Sequence, residues 1–335
     1  MRTPELKQLD LNKKGAITCI PEENYMNTML HVVEPELEKC KKSGYFVADD
    51  SAKLYYESYS VPNPAGTIVI SHGFIESVLK YKEMIYYFTS AGYQVYGLDH
   101  RGHGRSERLV KDISLVHITS FDQFVADFKC FLDSVVKKDM ADKKLILYAH
   151  SMGGAIGALF LEKHPDYFQK AILSSPMMEI NSGKFPKWIA RFLADFHTWT
   201  GKGASYVYTH KPFNGEYEYH NAPVTSEVRY QYYFDKILAN DFLKTNGSSF
   251  NWLSEAYKAT EELKKNADKI QIPVLLFKAA ADSFVHPEGY YQFAKRAKNV
   301  TIINTQDTKH ELYKSTSDFL CAYLNAIFEF IEADA

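Results

Sequence analysis

Ten residues, Leu145-Ile146-Leu147-Tyr148-Ala149-His150-Ser151-Met152-Gly153-Gly154, constrain this chain more than any others. The apolar run predicts a buried strand, and Ala155 to Lys163 predicts a helix. Between them stands a serine with small residues two before and two after it. A strand that passes into a helix through a serine is the context of a nucleophile elbow, a sharp turn in strained backbone. Its neighbours must be small because a larger side chain collides with the adjoining strand and helix. The pattern Gly-x-Ser-x-Gly is met except that Ala149 replaces the first glycine, adding one methyl group. Taken alone, the same residues also fit an ordinary serine at a glycine-bearing helix start.

The 335 residues are 46% hydrophobic and 24% charged, enough to bury a sizeable core. A net charge of −2 gives no basic footprint for nucleic acid, so no nucleic-acid partner is expected. Cys19, Cys40, Cys130 and Cys321 are too scattered for a disulfide framework, which points to a reducing, cytoplasmic compartment. Met1 to Lys14 lacks the apolar run of a signal peptide. No apolar run reaches membrane-spanning length; the nearest, Phe319 to Ile331, is broken by Asn325 and Glu329 and predicts an amphipathic terminal helix.

Eight strands are predicted: Tyr45–Val47, Leu54–Tyr59, Thr67–Ser71, Tyr93–Leu98, Leu145–Ala149, Ala171–Leu173, Pro273–Phe277 and Val300–Ile303. Helical spacing falls at Lys80–Ala91, which ends at Gly92, at Phe121–Val136 and at Pro287–Ala297. Strands alternating with helices imply an α/β fold, a mostly parallel sheet covered on both faces. Residues 1–44 form an N-terminal extension, expected to pack as a short helical arm. Residues 45–176 and 264–335 make the core. Residues 177–263 break the alternation; they are aromatic and helix-like, an insertion.

A reactive serine needs a base, and the base needs an orienting acid. In sheets with an elbow these follow as Ser, Asp or Glu, His, each beyond the C-terminal end of a strand. Asp282 and His310 fall in those two places, after the last two predicted strands. His286 shares the Asp282 loop, and His150 should point away from the reactive face, so neither is preferred as base. Asp307 and Glu311 flank His310 and should tune its loop. An oxyanion site needs backbone N–H groups. Met152, at a helix N-terminus, supplies one. Phe74, in the loop Ser71-His72-Gly73-Phe74-Ile75, supplies the other. The loop Leu98-Asp99-His100-Arg101-Gly102-His103-Gly104-Arg105-Ser106 predicts a rigid turn held by Asp99; nothing in its spacing supports a metal.

Together, His72-Gly73-Phe74, the Asp99–Ser106 loop and His150-Ser151-Met152-Gly153-Gly154 resemble the lysophospholipase and monoacylglycerol-lipase branch of the α/β-hydrolases. Asn221–Tyr230 and Phe250-Asn251-Trp252-Leu253 resemble the helical cap of bacterial lysophospholipases, and Lys309-His310-Glu311-Leu312 resembles their C-terminal region. The likeness runs from about Tyr45 to the end. Ala149, and Ala280-Ala281 before Asp282, depart from it. It implies an α/β-hydrolase fold with an eight-stranded sheet and a helical cap over residues 177–263. It also implies a cofactor-free ester hydrolase that forms an acyl-enzyme on Ser151. A small-ester esterase, a peptidase, a carbon–carbon hydrolase or a non-catalytic binding protein on the same fold are the alternatives.

The substrate is expected from the aromatic insertion, as an acyl chain held over the serine. His72, Gly73, Trp188, Phe192, Tyr230 and Trp252 are the candidate contacts, although many insertion rings also serve to fix the cap to the core. Arg101, Arg105 and Arg229 are candidate partners for a phosphate head group. Lysophospholipid and monoacylglycerol both stay open. The aromatic cap further suggests peripheral contact with the inner face of a membrane. The oligomeric state is not readable.

Overall fold

The computed structural model describes residues 4–13, 15, 17–139, 144–183 and 185–333. Residues 1–3 of the expected N-terminal extension and 334–335 of the expected core lie outside them. The strands are β1 (Glu5–Gln8), β2 (Lys41–Val47), β3 (Lys53–Tyr59), β4 (Gly66–Ser71), β5 (Tyr93–Leu98), β6 (Leu115–Val116), β7 (Leu145–His150), β8 (Lys170–Ser174), β9 (Gly247–Ser248), β10 (Val274–Lys278) and β11 (Val300–Asn304). Nine of them form one sheet in the order β1-β11-β10-β8-β7-β4-β5-β3-β2. It is parallel from β1 through β5; β3 joins β5, and β2 joins β3, antiparallel. The short strands β6 and β9 pair separately and tie the insertion to the loop beyond the Asp99 turn.

The helices are α1 (Tyr25–Thr28), α2 (Glu34–Cys40), α3 (Lys82–Ser90), α4 (Asp122–Phe131), α5 (Met152–Lys163), α6 (Lys187–Trp199), α7 (Glu227–Ala239), α8 (Phe250–Asn266), α9 (Glu288–Ala294) and α10 (Ser317–Glu332). Strand alternation decides which face each covers. Val69, Leu147, Leu173 and Leu276 point to a core shared with α4, α5, α8 and α9. Ile68, Ile70, Ile146, Tyr148, Ile172 and Phe277 point the other way, to α3, α10 and the N-terminal segment. Both faces are therefore covered, which is why the central strands are apolar at nearly every position.

The sheet has nine strands where eight were expected. The extra one, β1, lies in the extension and pairs in parallel with β11 at the sheet edge. All four of its residues are exposed, so it carries no apolar alternation to give it away. β2 also begins at Lys41, inside the extension, because its early residues sit on an outer edge and stay polar. Residues 22–40 of the extension are helical and pack Tyr25, Met29, Val33 and Leu37 into the core, while the described residues between β1 and Glu22 are irregular.

Candidate active site

Ser151 stands between β7 and α5 with φ 51° and ψ −118°, a left-handed region costly for a side chain. Close packing holds it there. Its N–H donates to Ser174 O (3.1 Å), and its carbonyl accepts from Met177 N (2.8 Å) and Ala155 N (3.2 Å). A Cβ on Gly153 would lie 2.1 Å from Ser71 O, and one on Gly154 2.6 Å from Pro176, so both must be glycine. The Ala149 methyl faces Gly157, one turn into α5. A Cβ there would sit 3.5 Å from the Ala149 methyl, an ordinary contact; it is Leu147 Cδ2, at 2.7 Å, that leaves no room for one.

The other two residues arrive on loops beyond β10 and β11. His310 Nε2 lies 2.8 Å from Ser151 Oγ, and His310 Nδ1 lies 2.7 Å from Asp282 Oδ2. Asp282 Oδ1 accepts the N–H groups of Phe284 (2.9 Å) and Val285 (3.0 Å). Burial pushes the Asp282 carboxyl up, but the His310 hydrogen bond and charge, with those two amides, leave it below its ordinary range. Ala280 and Ala281 donate to Thr308 Oγ1 and O, so the acid's loop is bonded directly to the base's loop. The arrangement can deprotonate a serine hydroxyl and stabilise the resulting imidazolium.

Met152 opens α5, where an N–H has no intrahelical acceptor. Phe74 lies in the loop after β4, shaped by Gly73 N–H donating to Glu76 Oε2 (2.7 Å). Among the described residues, the Phe74 N–H donates to no protein acceptor. His72 and Gly73 do not line the cavity above the serine. His72 is buried, its Nδ1–H donating to Gly73 O (2.8 Å) and its Nε2 accepting from His100 N (2.9 Å), so both residues build the loop.

The cavity over Ser151 measures about 630 Å³. Trp252 lines it, its ring 4.3 Å from that of Phe74. Trp188 and Phe192 do not: they are 71% and 60% exposed on the outer side of α6, whose inner residues Ala190 and Leu193 form the wall. Tyr230 also lies elsewhere, stacked on Phe234 with its hydroxyl accepting from Glu218 N (3.2 Å). Helical rings on an insertion face either way, and composition does not say which.

His150 departs from expectation. It lines the cavity, its ring 4.8 Å from that of His310, with Nδ1–H donating to Ser174 O (3.0 Å). The left-handed φ at Ser151 breaks strand alternation, so consecutive residues can reach one site. Burial lowers its imidazole to about 3. Glu76 and Glu311 complete this end of the wall, bridged by Lys80 at 3.0 and 2.7 Å. Burial opposes the Glu76 carboxylate, yet Lys80 holds it well below its usual range.

The three arginines face other partners. Arg101 pairs with Asp127 (2.7 Å) and Asp50 (2.7 Å). Arg105 covers the rings of Phe242 and Tyr55. Arg229 is fully buried on Glu83. The Asp99 loop is the rigid turn expected: Asp99 accepts Val78 N (2.8 Å) and Arg105 N (2.9 Å), and burial raises its carboxyl to about 7. Among the described residues, no cluster of His, Cys, Asp and Glu is placed to hold a metal ion.

A known family model matches the part of the chain that carries this serine, aspartate and histidine. Hydrolase_4, described as serine aminopeptidase, S33, matches residues 62–316. The chain belongs to this α/β-hydrolase family. It is 28% identical to lysophospholipase L2 of Escherichia coli (strain K12) over 261 residues, 75% of this chain and 73% of that one. It is 25% identical to monoglyceride lipase of Mus musculus over 273 residues, 79% and 81% of the two chains. The fold is shared with a monoacylglycerol lipase of Paleococcus ferrophilus: TM-score 0.64, 22% identity, 83% of this chain and 98% of that one.

Proposed function

We propose that this protein hydrolyses carboxylic esters of monoacyl lipids, lysophospholipids or monoacylglycerols, through an acyl-enzyme on Ser151. His310 takes the serine proton and returns it to the leaving alcohol. Asp282 fixes the imidazole, and the Phe74 and Met152 N–H groups hold the oxyanion. The observation that carries this reading is the cavity: Ser151 and His310 lie in its wall, and Phe74, Trp252, Val207, Leu253, Phe250 and Leu193 give it apolar sides. Such walls suit an acyl chain. The relatives named lysophospholipase and monoglyceride lipase support the same class.

Residues 177–263 are proposed to act as the cap over this cavity. Peripheral membrane contact, on a cytoplasmic face, is proposed for α6. Trp188, Phe192, Phe196 and Trp199 recur at helical spacing on its outer side, all exposed. No helix among the described residues is long and apolar enough to cross a membrane.

Fluorophosphonate labelling and a substrate panel test the reading. Wild type should label on Ser151, Ser151→Ala should not, and medium or long monoacyl esters should outrun acetyl esters. Faster cleavage of an aminoacyl anilide, the peptidase outcome, would overturn the lipid assignment. Absence of labelling in folded protein would favour a binding protein.

A further inference from the structure

The leaving alcohol must lie beside His310, which protonates it, so the groups around that imidazole meet the lipid head. Three ionisable lining residues cluster there: Glu311, next in the chain; His150, 4.8 Å away ring to ring; and Glu76, 3.8 Å from His150 Nε2. Their hydrogen-bonding capacity differs. Glu76 is full. Oε2 accepts from Gly73 N and Tyr81 Oη, and Oε1 from Lys80 Nζ and Tyr313 Oη. Glu311 spends only Oε1, on Lys80 Nζ at 2.7 Å. Its Oε2 has no partner among the described residues and is not sealed from solvent. His150 donates through Nδ1 to Ser174 O, which leaves Nε2 an acceptor.

This end of the cavity therefore offers acceptors and presents carboxylates, while the nearby buried cations Lys80 and Lys314 are not lining residues. Lys80 is one cation shared between two carboxylates. No described lining residue is a lysine or an arginine. Lys309, beside the base, donates to Ala222 O at 2.9 Å. Arg101, Arg105 and Arg229 serve elsewhere. A head with free hydroxyls donates to Glu311 Oε2 and His150 Nε2. A phosphate brings only acceptors and more negative charge, and nothing here receives it.

We propose that Glu311 is the head-group selector, admitting an uncharged polyol ester such as a monoacylglycerol and turning away phosphorylated heads. The proposal rests on the ester-hydrolase reading above and narrows its substrate class. The Glu311 side chain acts by touching the leaving group, not the reacting carbonyl.

The test compares 1-octanoyl-glycerol with 1-octanoyl-glycerol 3-phosphate, below their micelle-forming concentrations, in one preparation. Wild type should favour the neutral ester in kcat/KM by at least about tenfold, the order of one unscreened like-charge contact. Glu311→Gln keeps the size and an acceptor oxygen but not the charge, and should shrink that ratio about tenfold. Glu311→Asp keeps the charge and should hold the preference on the neutral side. A ratio taken within one preparation is insensitive to how much protein folds. Should Glu311→Gln not fold, a wild-type series decides: rates should fall from octanoyl-glycerol through its glycerophosphoglycerol to its glycerophosphate ester. Equal use of neutral and phosphorylated esters by wild type, or an unmoved ratio in Glu311→Gln, overturns the proposal. Protein that labels on Ser151 yet does not discriminate sinks the selector alone; protein that does not label sinks the ester-hydrolase reading.

Discussion

Arg229 forks onto Glu83, with Nη2 2.8 Å from Oε1 and Nε 3.0 Å from Oε2, and both side chains are buried. The pair joins α7 of the insertion to α3 of the core. The same guanidinium donates to Ile20 O (3.2 Å) and Ser317 Oγ (3.3 Å), so the N-terminal segment and α10 meet at one residue. Removing one partner of such a pair strands the other charge away from water. Arg229→Met should therefore cost about 3–5 kcal/mol of unfolding free energy. Urea titration measures it, and adding Glu83→Gln should restore part of the loss. A cost near zero for the single variant would mean the pair is not what fixes α7.

The elbow makes a sharper steric prediction. Gly153→Ala places a methyl 2.1 Å from Ser71 O and 2.5 Å from His72 O, both backbone and both leading into the Phe74 loop. Backbone cannot yield as a flexible side chain does. Fluorophosphonate labelling should be lost, together with much of the soluble yield. Ala149→Gly, by contrast, only removes a methyl and brings nothing into contact. It should label at close to the wild-type rate.

Asp282 separates orientation from nucleophilicity. Asp282→Asn keeps the shape but favours the wrong imidazole tautomer, so kcat should fall by about 10⁴. Ser151→Ala should fall by on the order of 10⁶. Both variants should melt within a few degrees of wild type. Near-normal turnover in Asp282→Asn, measured on a soluble octanoyl ester, would move the orienting role to another acid.

The parts of this protein that the sequence makes legible are those governed by short-range rules. Strand alternation places Val69 and Ile70 on opposite faces, and the strand–serine–helix run brings Ser151 to a turn. The order of Asp282 and His310 follows because each lies in the loop beyond one of the last two strands. The rest depends on tertiary partners. β1 borrows its pairing from a strand almost 300 residues away and has no pattern of its own. Arg229 looks like a surface arginine on α7 until Glu83 is brought beneath it. Trp188 and Trp252 are alike in composition, yet one faces out and the other lines the cavity, because α6 covers the outside and α8 packs into the core. In the sequence Glu311 is legible only as a neighbour of His310; its pairing with Lys80, 231 residues away in sequence, is not.

The outer face of α6 carries a separate test. Trp188, Phe192 and Trp199 are 71%, 60% and 81% exposed, at a spacing that places them on one side. Amphipathic aromatic rings of this kind settle at the headgroup boundary of a bilayer. Replacing all three by serine should abolish flotation with vesicles of mixed zwitterionic and anionic phospholipid. Hydrolysis of a monomeric soluble ester should persist, since none of the three lines the cavity. Wild-type protein that fails to float at all would end the membrane proposal.

Glu162 makes stability depend on pH. It lies near the end of α5, and neither carboxylate oxygen has a hydrogen-bond partner among the described residues. Burial, with Glu262 nearby, raises its carboxyl to about 9, against the opposing pull of Lys269 and Lys163. The folded chain thus holds a proton that the unfolded chain releases near its ordinary value. The stabilisation is complete below about pH 4.5 and is lost as pH climbs towards 9, at up to about 1.4 kcal/mol per pH unit from this one group. Glu162→Gln keeps the shape and does not titrate. Its melting temperature should differ little from wild type near pH 5 and exceed it progressively by pH 8.5. Parallel melting curves across that range would show that Glu162 ionises as freely in the folded chain as in the unfolded one.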